Sequence, residues 1–302
     1  MSIGLSLHGG NFGDTLSGEF GPDTIYGRGG RDLLSGLDGN DILDGGGWDD
    51  TLLGGDGEDS LRGGPGGDRL EGGAGADTLL GGDTGYAPDT LLGGEGDDLL
   101  RFGISRLDGP LPNQAFGGSG DDTIRGDDDK DRLLGENGND ALSGYGGGDR
   151  MDGGYGDDTI RGGTGDDIAW GGDGHDDLAG EDGADTLWGH NGNDALQGGE
   201  GDDFLAGGDG GDTLTGGAGA DVFAIRSAWA SRDVITDFDP AEGDRVDLGN
   251  LAWPGWITSL VQVGAERVAL RVVSETDETW KWTTFVFENT TLADFSGEWL
   301  VG

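Results

Sequence analysis

The chain has 302 residues, 71 of them glycine, with 61 acidic against 17 basic side chains and a formal charge of −44. A surface so strongly of one sign argues against nucleic acid and anionic membrane as partners. Cysteine is absent and no apolar run approaches membrane-spanning length, so neither disulfides nor membrane insertion is expected.

Residues 1–8 form a short lead. Met1–His8 has neither a basic n-region nor an apolar stretch long enough for a signal peptide, so neither a signal peptide nor a catalytic or membrane-inserting domain is expected ahead of Gly9. From Gly9 to Ala224 the chain repeats the nine-residue unit G-G-x-G-x-D-x-U-x, where U is a large aliphatic residue. The sixth-position aspartates fall at Asp14, Asp23, Asp32, Asp41, Asp50, Asp59, Asp68 and Asp77, resume at Asp89 and Asp98, then run in steps of nine from Asp122 through Asp131 to Asp221. Twenty-two units in phase define a repeat architecture.

The unit divides into a six-residue glycine-rich turn and a three-residue strand x-U-x whose central side chain points inward. Two units make one coil. Coils stacked at about 4.8 Å give roughly eleven turns, a rod about 50 Å long, with two parallel sheets enclosing an aliphatic ladder. Two interruptions are visible: three extra residues near 83–88 and fifteen at 102–116, FGISRLDGPLPNQAF. Both are expected as surface excursions, with a junction between two rolls left open for the longer one.

One buried aliphatic residue per nine is a thin core for so much ordered backbone. The motif aspartates would also stack in columns and repel. A divalent cation between turns reverses that sign. Carboxylate and main-chain oxygens, with no His or Cys column, suit Ca²⁺ in multiple copies.

Stretches such as GGAGADTLL (Gly72–Leu80), GGYGDDTIR (Gly153–Arg161) and GGEGDDFLA (Gly198–Ala206) resemble the repeats-in-toxin (RTX) proteins of bacteria. The resemblance spans residues 9–224 and implies an all-β fold, a right-handed parallel β-roll (β-solenoid). Each calcium ion would take carbonyl oxygens and sixth-position aspartates from two turns eighteen residues apart. Carried over, the metal ligands are Asp23, Asp32, Asp41, Asp59, Asp68, Asp77, Asp98, Asp122, Asp140, Asp149, Asp158, Asp167, Asp176, Asp185, Asp194, Asp203, Asp212 and Asp221. The run from Asp140 to Asp221 is the first choice. Phe12, Trp48 and Asp129 replace the fourth-position glycine, which is expected to weaken their sites. The second glycine is lost at Glu19, Arg28, Leu37, Asp127, Glu136, Tyr145, Glu181 and His190, where a carbonyl remains.

Residues 225–302 hold 6 of the 71 glycines but 6 of the 9 tryptophans. RVALRVVS (Arg267–Ser274) and WKWTTFVFE (Trp280–Glu288) read as strands around an ETDE turn, and the segment is expected to be a C-terminal β-rich cap. DVITDFDPAEGDRVDL (Asp233–Leu248) resembles the segment after the repeats in serralysin-type proteases. TTLADFSGEWLVG (Thr290–Gly302) resembles the ends of type I secretion substrates. These resemblances imply export by type I secretion machinery from a Gram-negative bacterium, with an extracellular or cell-surface location and folding on meeting calcium outside.

No catalytic site is expected. His8, His175 and His190 lie outside any H-E-x-x-H context, and His175 and His190 read as exposed turn filler. Asp83-Thr84-Gly85 and Arg125-Gly126-Asp127 are chance tripeptides. Trp170 and Trp188 should neighbour each other on one sheet, as cross-strand packing or a sugar platform. The leading function is a secreted calcium-binding protein with a structural or interaction role at the cell surface or in an extracellular matrix. The alternative is a polysaccharide-binding accessory module similar to the R-modules of alginate epimerases, which would need a basic stripe on one face. An ice-binding array is not seen among Asn11, Phe20, Gly29, Asp38, Gly47, Asp56, Pro65 and Ala74.

Overall fold

The computed structural model describes residues 4–82, 87–103, 111–224, 232–248, 256–264, 267–274, 281–288 and 300–301. Every regular element among them is a β-strand, and the repeats form a parallel β-roll. The chain divides into two compact units, residues 1–155 and 156–302.

In the first unit, alternate repeats feed two parallel sheets, with eight strands in each among the described residues. One begins with Ser6–His8, Thr24–Gly29 and Ile42–Gly47, the other with Thr15–Ser17, Leu33–Asp38 and Thr51–Asp56. Register places each U side chain on the next: Ile25 on Leu43 on Leu61, and Leu34 on Leu52 on Leu70. From Ile25 to Met151 this ladder is completely buried. Leu7 and Leu16, in a coil with a neighbour on one side only, are half-exposed.

Most strands are longer than the three residues expected. Thr51–Asp56 continues through its two glycines for six residues. The second glycine adopts positive φ, as at Gly55 (+122°), which turns the chain while its neighbours keep pairing, here Gly55 with Gly73 and Asp56 with Ala74. Arg28, Leu37, Glu136, Tyr145, Glu181 and His190 hold the same left-handed conformation without being glycine. Such a residue costs on the order of 1–3 kcal/mol and persists because the stacked coils fix the path.

Both interruptions leave the roll continuous within the first unit. Leu70 pairs with Leu91 and Leu79 with Leu100 across the shorter one. The longer excursion is smaller than expected, because Asn113–Ser119 is itself a strand, paired to Thr90–Glu95 on one side and Asp131–Asn137 on the other. Asn113 takes the sixth position and Ala115, fully buried, takes the U position. Asparagine and alanine in place of aspartate and leucine hid this repeat.

In the second unit, one parallel sheet begins with Thr159–Thr164 and Asp177–Asp182 and reaches Arg232–Ile235. Lys281–Glu288 then pairs with Arg232–Ile235 in parallel, and Arg267–Ser274 and Trp256–Gly264 follow antiparallel. Both expected C-terminal strands form, and the ETDE turn lies outside the described residues. The other sheet runs from Ile168–Asp173 to Arg245–Asp247 and Leu300–Val301. Ile235 and Val246 continue the buried ladder. Phe223, the rung between Leu205 and Val246, packs against Phe238, and Phe238 against Phe287, with rings tilted at 58° and centroids 6.0 and 5.0 Å apart. The core thus changes from aliphatic rungs to an aromatic plug where the repeats end.

Since Leu133 is fully buried, Leu133→Ala should cost about 2–5 kcal/mol in urea unfolding of the folded, calcium-saturated chain. Leu16→Ala, at a half-exposed rung, should cost less than half as much. Equal costs would show that the ladder is not the core.

Candidate metal centres

Every sixth-position aspartate proposed from the sequence points into its turn, and none is more than 4% exposed. Burial follows from the coil: a strand starts at or just before U, and the aspartate two residues before U lies on the same inward side. Its carbonyl oxygen accepts the next coil's strand N–H, as Asp32 does from Thr51 at 2.9 Å.

The carboxylates join adjacent coils in columns. Oδ1 of each aspartate accepts the main-chain N–H of the sixth-position residue one coil earlier: Asp23 to Asp41 (2.6 Å), Asp41 to Asp59 (2.7 Å), Asp176 to Asp194 (3.0 Å) and Asp203 to Asp221 (2.9 Å). The interruptions do not break them, since Asp68 N–H reaches Asp89 (2.9 Å) and Asp89 N–H reaches Asn113 Oδ1 (3.1 Å). The columns also pass beyond the repeats, with Asp212 N–H on Asp233 (3.1 Å) and Asp221 N–H on Asp244 (3.0 Å). Asp233 and Asp244 were missed as column members. The D-V-I and D-R-V triplets, which repeat D-x-U off the nine-residue step, were their signal.

The second oxygen has no such partner. Oδ2 of Asp32, Asp41, Asp50, Asp59, Asp68, Asp77, Asp89, Asp98, Asp122, Asp176, Asp185, Asp194, Asp203, Asp212 and Asp221 is buried without a hydrogen bond. Each faces the first glycine of its own turn. A methyl group on Gly27 would collide with Asp32 Oδ2 and the Gly45 carbonyl oxygen, and one on Gly198 with Asp203 Oδ2 and the Gly216 carbonyl oxygen. The first glycine is therefore required for the space beside a carboxylate oxygen and a carbonyl of the next coil.

Three turns are built differently. At Asp14, Asp23 and Asp131 the N–H of Gly10, Glu19 and Asp127 donates to Oδ2, at 2.6, 2.7 and 2.8 Å. Asp131 is further held by the Asn113 amide (3.0 Å), which also donates to Asp127 (3.3 Å). Trp48 instead keeps the fourth-position turn, at φ +86° with its N–H on the Pro65 carbonyl. Asp50 beside it has the same buried Oδ2 as its neighbours. Loss of that glycine alone does not decide the geometry.

A further column occupies the fifth position. Asp121 accepts Asn139 N–H (2.7 Å), Asp157 accepts His175 N–H (2.7 Å), His175 Nδ1 accepts Asn193 N–H (2.8 Å), and Asn193 accepts Gly211 N–H (2.8 Å). His175 is thus a turn-to-turn acceptor, a role the nine-residue formula conceals under x. Trp170 pairs with Trp188 in register, while the Trp188 ring contacts Phe204 (5.3 Å) and His190 (6.2 Å).

Burial first, then repulsion from carboxylates along the column, pushes the aspartates up against the lowering effect of the N–H bonds. Asp50, Asp59 and Asp185 rise to about 6, Asp68, Asp122, Asp194 and Asp203 to about 7, and Asp89 and Asp233 to about 8. Among the described residues no three acidic or imidazole side chains form a cluster sufficient for a metal. An ion must combine carboxylate with main-chain oxygens. Buried, unsatisfied Oδ2 atoms beside carbonyl oxygens in a glycine cradle fit a hard cation that accepts six to eight oxygens.

The RTX calcium-binding nonapeptide repeat family (4 copies) matches residues 8–43, 35–70, 44–79, 83–104, 116–151, 143–178, 152–187, 170–205 and 188–223. No curated protein matches the chain. Among solved structures, the AlgE6R3 subunit from the Azotobacter vinelandii mannuronan C5-epimerase is 28% identical over 49% of this chain and 80% of that one, with TM-score 0.26. The AlgE6R2 subunit is 29% identical over 50% and 90%, with TM-score 0.25.

The raised aspartates set the pH response of metal-free protein. In the unfolded chain they titrate near 3.9, so between about pH 4 and 8 the folded state binds more protons. The stability they contribute is full below the unfolded value and is lost as pH rises through 6–8. Chelator-treated protein should therefore gain β-structure on acidification from pH 8 to 4.5, read by circular dichroism. Loss of β-signal over that range would contradict the assignment.

Proposed function

The chain belongs to the RTX calcium-binding nonapeptide repeat family, and on that premise we propose that it is a secreted protein whose roll folds on binding many Ca²⁺ ions outside the cell. Its role would be structural or interactive, at the cell surface or in an extracellular matrix, without catalysis. The observation that carries this reading is the row of buried Oδ2 atoms lacking hydrogen-bond partners beside main-chain carbonyls. Bound calcium would supply the positive charge that these oxygens lack. Asp32, Asp41, Asp59, Asp68, Asp77, Asp98, Asp122, Asp176, Asp185, Asp194, Asp203, Asp212 and Asp221 would hold it, with Asp140, Asp149, Asp158 and Asp167 buried at the same repeat position. Asp50, by its geometry, joins them; Asp23, whose two oxygens take the N–H groups of Leu5 and Glu19, would bind more weakly.

Export follows from the same energetics. At cytosolic calcium the aspartate columns repel, and the chain stays extended and threadable for a type I secretion channel. At the roughly 10⁻⁴–10⁻³ M calcium that extracellular modules sense, it folds. Residues 225–302 would close the roll and carry the export signal. Such a protein would work outside a Gram-negative cell.

Calcium titrated into chelator-treated protein should produce a cooperative rise in far-UV β-signal near millimolar concentration, with magnesium ineffective because it sheds its water reluctantly. Asp194→Asn with Asp203→Asn should move the midpoint to higher calcium. A protein already folded in chelator and unmoved by calcium would overturn the reading.

A further inference from the structure

In a chain with 61 acidic residues, one flat face of the first unit carries almost none. On the sheet that begins with Ser6–His8, the residues flanking each inward U side chain include a single acid, Asp44. The acids lie in the turns, forming negative ridges on either side. Along one outward column of this face, Asp44, Arg62, Leu80, Arg101 and Arg125 follow one another in register on successive strands, so the acid stands at one end of the run of arginines.

All three arginines are exposed, and among the described residues no carboxylate lies within ion-pair distance of them. Three other arginines do have such a partner: Arg31 with Asp49 (2.6 Å), Arg69 with Glu71 (3.0 Å) and Arg161 with Asp177 (2.7 Å). Arg132 lies over the Phe116 ring at 5.4 Å. Placing Arg101 beside Arg125 on neighbouring strands, with no counter-charge, is unfavourable. An anion bridging the two guanidinium groups removes that penalty.

We infer that this face binds a linear anionic polysaccharide lying along the stacking direction, an inference that rests on the calcium-folded reading above. The column spaces its charges by one or two strands, about 5–10 Å, which suits a polymer carrying one carboxylate or sulfate every sugar or two. Arginine's planar fork takes either group in bidentate fashion. Thr24, Ser60, Thr78 and Thr123 supply neutral hydrogen-bonding groups alongside. At the end of the same column His8 stacks on Tyr26, centroids 5.1 Å apart and 10° from parallel, an aromatic surface for a pyranose ring. Nucleic acid fits poorly: duplex DNA carries a charge about every 1.7 Å and would meet both acidic ridges. This is the basic stripe that a polysaccharide reading of the sequence requires.

The test uses the full chain in saturating calcium, titrated with hyaluronan, dextran sulfate, neutral dextran and oligo(dT) over a range of salt. The wild type should bind an anionic polysaccharide and not dextran. Preference for hyaluronan or for dextran sulfate identifies carboxylate or sulfate as the group recognised, and either supports the inference. Arg62→Ser/Arg101→Ser/Arg125→Ser should weaken binding at least about tenfold, as expected when three charge-assisted contacts go. It should also flatten the dependence of affinity on salt, because fewer charge contacts remain to be screened. Asp44→Ser should tighten binding. Circular dichroism of each variant in calcium separates lost fold from lost binding. Unchanged affinity in the triple variant, no binding to either anionic polymer, or tighter binding to oligo(dT) would overturn the inference.

Discussion

Two columns of buried aspartates constrain everything else in this protein. Each carboxylate is nearly inaccessible to solvent, and one oxygen is committed to a main-chain N–H of the neighbouring coil. For most of the run the other oxygen has no hydrogen bond at all. A buried carboxylate in that state is stable only if protonated or met by a cation. The upward titration of the column says the same thing in another form. The hydrophobic ladder alone, one aliphatic residue per nine, does not offset such a set of charges.

The glycines follow from this constraint. The first glycine leaves space for Oδ2 and the next carbonyl, and the second turns the chain at positive φ so that strand pairing continues past the corner. These are distinct needs, and the sequence treats them differently. The second position tolerates Arg28, Leu37 or His190 at a strained positive φ, although where glycine stands, as at Gly55, a Cβ would press on the preceding coil's carbonyl oxygen. The first position admits no side chain without displacing a carboxylate. The fifth-position acceptors then tie turn to turn on the exposed side, which accounts for the Asp and Asn so frequent there.

The period of nine made the parallel roll, its aliphatic core and the aspartate columns legible before any coordinates. What the period concealed were units whose chemistry was kept but whose letters changed. Asn113 still offers an acceptor to Asp89 N–H, and Ala115 still fills a rung, yet N-Q-A does not read as D-x-U. Asp233 and Asp244 keep the triplet but lose the step, because the chain between successive strands lengthens after Asp221. Turn geometry was also out of reach. Trp48 preserves its corner while Glu19 and Asp127, like the glycine Gly10, send their N–H groups onto Oδ2, so the residue type alone does not reveal the turn. The flat faces were hidden for a related reason: a net charge summed over the chain masks arginines that a two-residue strand period gathers on one side.

On the proposed reading, cation binding and folding would be a single event along the aspartate columns. Hydrogen exchange read repeat by repeat, in calcium and in chelator at neutral pH, probes that coupling at every rung. Slow exchange is expected at the aspartate and strand amides from Asp32 to Asp221 in calcium, lost throughout when calcium is removed. Protection that survives chelation across those repeats would show that the columns are stable without a cation, and that folding does not depend on the metal.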